Sequence, residues 1–197
     1  MSLNLNPRER CAVNAHGRTL FLYGDIDTDL IQKTVQKLLE LGQDSSDPIL
    51  LIVNSPGGNV RCMNALLDAI RMTTAPVNVL VLGQACSAAA ILTILAEPGR
   101  RFVSPTSTLM VHPISSYSRG NSTEMREELR RITRLELDQR KEILERTRLS
   151  RSELNKLMRT EKLIRAGEAL NYGMVDKIVT RFDQIPMGKK SRKGHAL

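Results

Sequence analysis

The sequence predicts an α/β protein, a mainly parallel sheet joined by crossover helices. Three observations carry that prediction. Strand-length apolar runs alternate with segments of helical period from Thr19 onward, the order that gives parallel neighbours and right-handed crossovers. Ile49-Leu-Leu-Ile-Val53 is apolar throughout, as a strand covered on both faces is. Gly57-Gly58, Ser87 and His112 each stand just after a predicted strand, where ligands of such sheets collect.

Taken in order, residues 1–18 have no clear period and read as a short flexible arm before a single domain over 19–182. Thr19–Tyr23 is a strand ended by Gly24-Asp25. A helix follows from Asp27 with Ile31, Val35, Leu38 and Leu39 on one face. Ile49–Val53 runs into Asn54-Ser55-Pro56-Gly57-Gly58. A helix over about 63–72 directs Leu66, Leu67 and Ile70 inward, and Pro76 leads to the strand Val77–Leu82. That strand is expected to break at Gly83, with a helix restarting at Ser87 and ending at Pro98-Gly99. Short strands near Phe102 and at Leu109–Val111 precede His112.

Thr123–Thr147 reads as one helix nearly 40 Å long by the helical rise of about 1.5 Å per residue. Ser122 or Thr123 is its expected cap, and Glu127/Arg131, Glu136/Arg140 and Glu142/Arg146 are its i,i+4 pairs. It is longer than the domain's core requires and is expected to project toward another subunit. Two shorter helices, about 152–158 and 166–172, lead to a last strand, Met174–Val179. Residues 183–197 read as a basic, disordered tail.

Bulk properties narrow the function. The chain has 197 residues and a formal net charge of +8. That length suits one domain with a core independent of disulfides. Lys189, Lys190, Arg192 and Lys193 supply half of the charge from the tail. Much of the remainder is interleaved with Glu on the long helix, a solvated pattern. With aromatic residues at 3%, nucleic acid is not the expected partner. Cys11, Cys62 and Cys86 have no paired spacing, which argues against a disulfide framework or a metal site and suits a cytoplasmic setting. No apolar run reaches membrane-spanning length.

The stretch Val79–Ala90 organises the chain. A serine between a buried strand and a helix can cap that helix, or it can be a nucleophile on a sharp turn. Acyl transfer to serine needs a base, an acid behind the base, and amide donors for the oxyanion. His112 is the candidate base. The Ala88 amide at the helix start and the Gly58 amide, unshielded by any Cβ, are the candidate donors. Cys86 is small and expected to pack.

At these residues the sequence resembles the ClpP family of serine peptidases. Val53-Asn54-Ser55-Pro56-Gly57-Gly58 is similar to its SPGG segment, and Gly83-Gln84-Ala85-Cys86-Ser87-Ala88 to its nucleophile segment. Leu109-Met110-Val111-His112 is similar to its histidine strand, and Tyr172-Gly173-Met174-Val175-Asp176 to its closing motif. The resemblance runs in order from about Thr19 to Val179. It implies a crotonase-like fold whose long helix is a handle, and peptide-bond hydrolysis inside two stacked heptameric rings. Unfolded proteins are the implied substrates, fed by an AAA+ Clp unfoldase that uses ATP, with no cofactor or metal in this chain. It implies Ser87 as nucleophile, His112 as base, and Gly58 and Ala88 as oxyanion donors.

By position, the catalytic aspartate of the family falls on Glu161. The preceding arginine of the family is Thr160 here, and His112 is followed directly by Pro113. The arm before the first strand is also short. These departures keep open a structural or regulatory subunit of a mixed ring beside the active peptidase. A crotonase-like acyl-CoA enzyme is a third reading, since fold alone does not fix function.

Overall fold

The computed structural model describes residues 17–116 and 119–188. The elements run β1 (Thr19–Ile26), α1 (Thr28–Asp44), β2 (Ile49–Gly58), α2 (Val60–Met72), β3 (Val77–Cys86), α3 (Ala88–Leu95), β4 (Arg101–Val103) and β5 (Thr108–Met110). Then follow α4 (Ser122–Arg146), α5 (Arg151–Thr160), β6 (Ile164–Arg165), α6 (Ala166–Asn171) and β7 (Lys177–Ile178). The sheet order is β1-β2-β3-β4-β7, with β5 on β3 and β6 on β5. Every pairing is parallel except β5–β6. The α/β class and the mainly parallel sheet are as the sequence predicts.

The expected break at Gly83 is not a strand end. β3 continues to Cys86 but changes neighbour there: Val79–Val81 pair with β4, and Gln84–Cys86 pair with β5. Gly83, at φ 94°, carries the bend between the two partners. Its N–H donates to Ser107 Oγ (2.8 Å), and that buried hydroxyl donates to Val81 O (3.1 Å). The sheet therefore forks below the serine, and the fork directs β5 and His112 to its side.

β1 and β2 also outrun their expected ends, because their ladder continues to Ile26–Gly58. The last strand is shorter than predicted, since Met174–Asp176 form bends before β7. The inward face of α1 is Leu30, Ile31, Thr34, Leu38 and Leu41. Leu39 is exposed, one position off that stripe. Leu66, Leu67 and Ile70 of α2 are buried as expected.

The main core lies between the sheet and the helices and includes Leu22, Leu51, Val79, Leu92 and Ile143. The opposite face carries a smaller cluster, Leu50, Ile52, Leu80, Phe102 and Val179, closed by Ile185. Asn78, fully buried, ties that closure: its amide donates to Pro186 O (2.7 Å) and accepts from Arg100 (3.1 Å). Ile185 and Met187 thus pack onto the sheet at the start of the predicted tail. Residues 1–16 of the predicted arm and 189–197 of the predicted tail lie outside the described residues.

Helix α4 starts one residue earlier than predicted. Asn121 caps it through a capping box with Glu124. Only Gln139 and Ile143 of this helix are buried, while Met125, Leu129 and Leu137 are exposed. Among the three expected ion pairs, Glu136–Arg140 forms at 2.6 Å. Glu127 instead pairs with Arg130, Arg131 with Glu128, and Glu142 with Arg71. Among the described residues, no helix is long and apolar enough to cross a membrane.

Candidate active site

Ser87 has an unusual backbone conformation. It sits between β3 and α3 at φ 54°, ψ −125°. Among the described residues, only Glu161 joins it as a non-glycine at positive φ. Such a conformation costs of order 1–3 kcal/mol and persists only where the surroundings impose it. The surroundings are identifiable. Ser87 N–H donates to Met110 O (2.8 Å), and Ser87 O accepts the first helical bond from Ile91 (3.1 Å). The hydroxyl makes no capping bond to α3, so the ordinary N-cap role is not the one it plays. A half-exposed serine on a sharp strand-to-helix turn is the nucleophile-elbow arrangement.

The glycine pair meets this turn from β2. A Cβ on Gly57 would lie 2.6 Å from Cys86 O and 2.7 Å from Ser87 Cβ, so only glycine fits there. Sequence reasoning singled out Gly58 and missed this close approach of Gly57. The Gly57 N–H is already used, donating to the buried Ser55 Oγ (3.0 Å). Asn59 N–H donates across to Ile26 O (2.8 Å). Gly58, at φ 143°, ends β2 against Ile26 of β1. At the helix start, Ala88 N–H is among the amides without an intrahelical acceptor.

His112 stands two residues beyond β5, half-buried. The β3–β5 register pairs Cys86 with Met110, and the Ser87–Met110 bond extends it. Ser87 and His112 therefore leave adjacent strand ends at one edge of the forked sheet. Cys86 is buried beside the serine. Burial pushes its thiol up from the ordinary value, which keeps it protonated and unreactive.

Glu161 is exposed and closes α5 in the left-handed conformation, φ 48°, ψ 35°. The short strand β6, missed in the sequence, explains its location. β6 pairs antiparallel with β5, Thr108 with Arg165 and Leu109 with Ile164. The ladder ends at Leu109 and Ile164, three residues short of both His112 and Glu161. No hydrogen bond joins Glu161 to His112, or His112 to Ser87, among the described residues. Catalytic bonds are often loose before substrate binds.

Beside Gly58 a groove of about 310 Å³ runs between the start of α2, the segment after His112 and the middle of α4. Val60, Ile114, Ile132 and Leu135 supply its apolar lining.

A model of the Clp protease family matches residues 11–182. The chain is 33% identical over 172 residues to ATP-dependent Clp protease proteolytic subunit 1 of Protochlamydia amoebophila (strain UWE25), covering 85% of this chain and 83% of that one. It is 28% identical to proteolytic subunit 2 of Leifsonia xyli subsp. xyli (strain CTCB07), with 86% and 77% covered. It is 30% identical to proteolytic subunit 3 of Frankia casuarinae (strain DSM 45818 / CECT 9043 / HFP020203 / CcI3), with 82% and 76% covered. A match of this extent, over a forked sheet with a strained serine at its edge, places the chain in the Clp protease family, the ClpP class of serine peptidases.

Proposed function

We propose that this chain is the proteolytic subunit of an ATP-dependent Clp protease, cutting unfolded polypeptides through an acyl-enzyme on Ser87. The observation that carries the reading is the Ser87 turn: a strained serine, free of any capping role, pressed against Gly57. In the reaction, Ser87 Oγ attacks the scissile carbonyl and His112 takes its proton. The oxyanion accepts hydrogen bonds from the Gly58 and Ala88 amides. The C–N bond then breaks as His112 returns the proton to the leaving amine. Water, deprotonated by His112, releases the acyl group and restores Ser87. Glu161, by its place in the chain, is the group assigned to orient the imidazole.

The chain itself needs no cofactor or metal in this scheme; ATP is used by a partner unfoldase of the AAA+ type. The exposed apolar side chains of α4 suit a helix packed against other subunits, in stacked seven-membered rings. The compartment proposed is the cytoplasm. The exposed position of Glu161 favours one second reading, a subunit that becomes active only beside another Clp proteolytic subunit in a mixed ring.

Peptidase activity and native mass, measured for the chain alone and after mixing with a second Clp proteolytic subunit, separate the two readings. Turnover by an oligomer of this chain alone is the expected result; turnover only after mixing supports the mixed ring. Glu161→Gln is expected to lower kcat about 10²- to 10⁴-fold, as loss of an orienting carboxylate does. An unchanged rate assigns that orientation to another group.

A further inference from the structure

The groove beside Gly58 has a charged rim that the reaction scheme does not use. Arg61, on α2, and Arg131, on α4, line it from opposite sides, with Glu128 between them. Arg61 Nη2 lies 4.0 Å from one Glu128 oxygen, and Arg131 Nη1 lies 3.7 Å from the other. Two guanidinium groups thus share one carboxylate, both at the long end of ion-pair distance. The nearby carboxylate of Glu136 is taken by Arg140, so the rim keeps one uncompensated positive charge.

Arg61 is also misplaced for stability. It is the second residue of α2, where the helix dipole disfavours a cation, and its side chain is 80% exposed. Its ion pair with Glu128 is long and exposed and stabilises little, and a residue that breaks a local rule for so small a return points to function.

We propose that Arg61 and Arg131 make this groove a subsite for an acidic side chain of the bound peptide, glutamate above all. The apolar lining accepts the two methylenes of glutamate, and its carboxylate meets the outer guanidinium N–H groups that the long contacts with Glu128 leave available. Such charge-assisted bonds are short and directional. This assignment rests on the peptidase reading for what the groove holds, but its binding preference is measurable without turnover.

The test uses fluorescent hexapeptides that carry Glu, Gln or Lys at one position, scanned along the peptide. Binding is read by anisotropy on the full-length Ser87→Ala chain, and kcat/KM on the unmodified one. At one position, Glu is expected to bind and react about 5- to 10-fold better than Gln, with Lys poorer still. Arg61→Gln, which sets no like charge beside Glu128, is measured as a second variant, and the far-UV spectrum checks the fold of Arg61→Glu, which suits the helix dipole. Arg61→Glu is expected to reverse the order to Lys over Glu. A Glu preference in binding without any cleavage would uphold the subsite and count against the peptidase reading. Equal binding of the three peptides at every position, no peptide binding at all, or a preference unmoved by Arg61→Glu would overturn the subsite.

Discussion

Ser87→Ala is expected to lower peptide turnover by about 10⁴- to 10⁶-fold, while the chain stays folded and assembled. The size of the effect follows from the role. Without Oγ there is no acyl-enzyme, and the amides of Gly58 and Ala88 have only a slow attack by water to stabilise. The substitution removes one oxygen that makes no capping bond to α3, so the helix start keeps its Met110 and Ile91 bonds. The check is kcat/KM on a fluorogenic peptide beside the native mass and far-UV spectrum. A loss of activity with a loss of assembly would assign Ser87 a structural part as well.

The largest effect on stability is expected away from the serine, at Arg101. This buried guanidinium donates to Asp176 from Nη2 (2.6 Å) and Nε (2.9 Å). Its Nη1 donates to Ile94 O and Arg146 O, each at 3.1 Å. It thereby joins β4, the approach to β7 and the C-terminal ends of α3 and α4. Arg101→Ala strips Asp176 of its counter-charge, leaving it only the Gly99 and residue-101 backbone N–H groups, and takes the guanidinium donor from the Ile94 and Arg146 carbonyls; removal of one partner of a buried pair costs about 3–5 kcal/mol. The midpoint of chemical denaturation at neutral pH measures it.

The same pair sets an acid limit. Burial alone raises the Asp176 carboxyl. The hydrogen bonds from Arg101, its charge and the Gly99 N–H outweigh burial and hold the carboxyl below its ordinary value. The folded state therefore binds this proton less readily than the unfolded chain. The stabilisation is fully present above the ordinary aspartate pKa of about 3.9. It is lost as pH falls through the lower folded value. Asp176→Asn should flatten that acid limb.

Much of the site was legible in the sequence because its parts are local. Ser87, Gly58 and His112 each follow an apolar run, and a parallel sheet brings such positions to one edge. Where the reading fell short, the cause was tertiary. Gly83 reads as a strand breaker, yet the chain uses its freedom to change strand partners at the fork. Gly57 matters only because β2 approaches the serine turn, a contact invisible to spacing. β6 is two residues long and has no periodic signal, so its antiparallel pairing with β5 shows only in the structure. Residues 185–187 read as tail because the segment is short and irregular, and only the buried Asn78 shows why it docks. The arginine pair of α2 and α4 looks like solvated charge until the groove between them is seen.

The central claim is that the strained turn makes Ser87 a nucleophile. Its most direct measurement is covalent labelling of the assembled chain by a fluorophosphonate, with the modified peptide mapped by mass spectrometry. A single adduct at Ser87 is expected, and it disappears in His112→Ala. An assembled oligomer that takes no label, or one that is labelled equally when Ser87 is replaced by alanine, would contradict it.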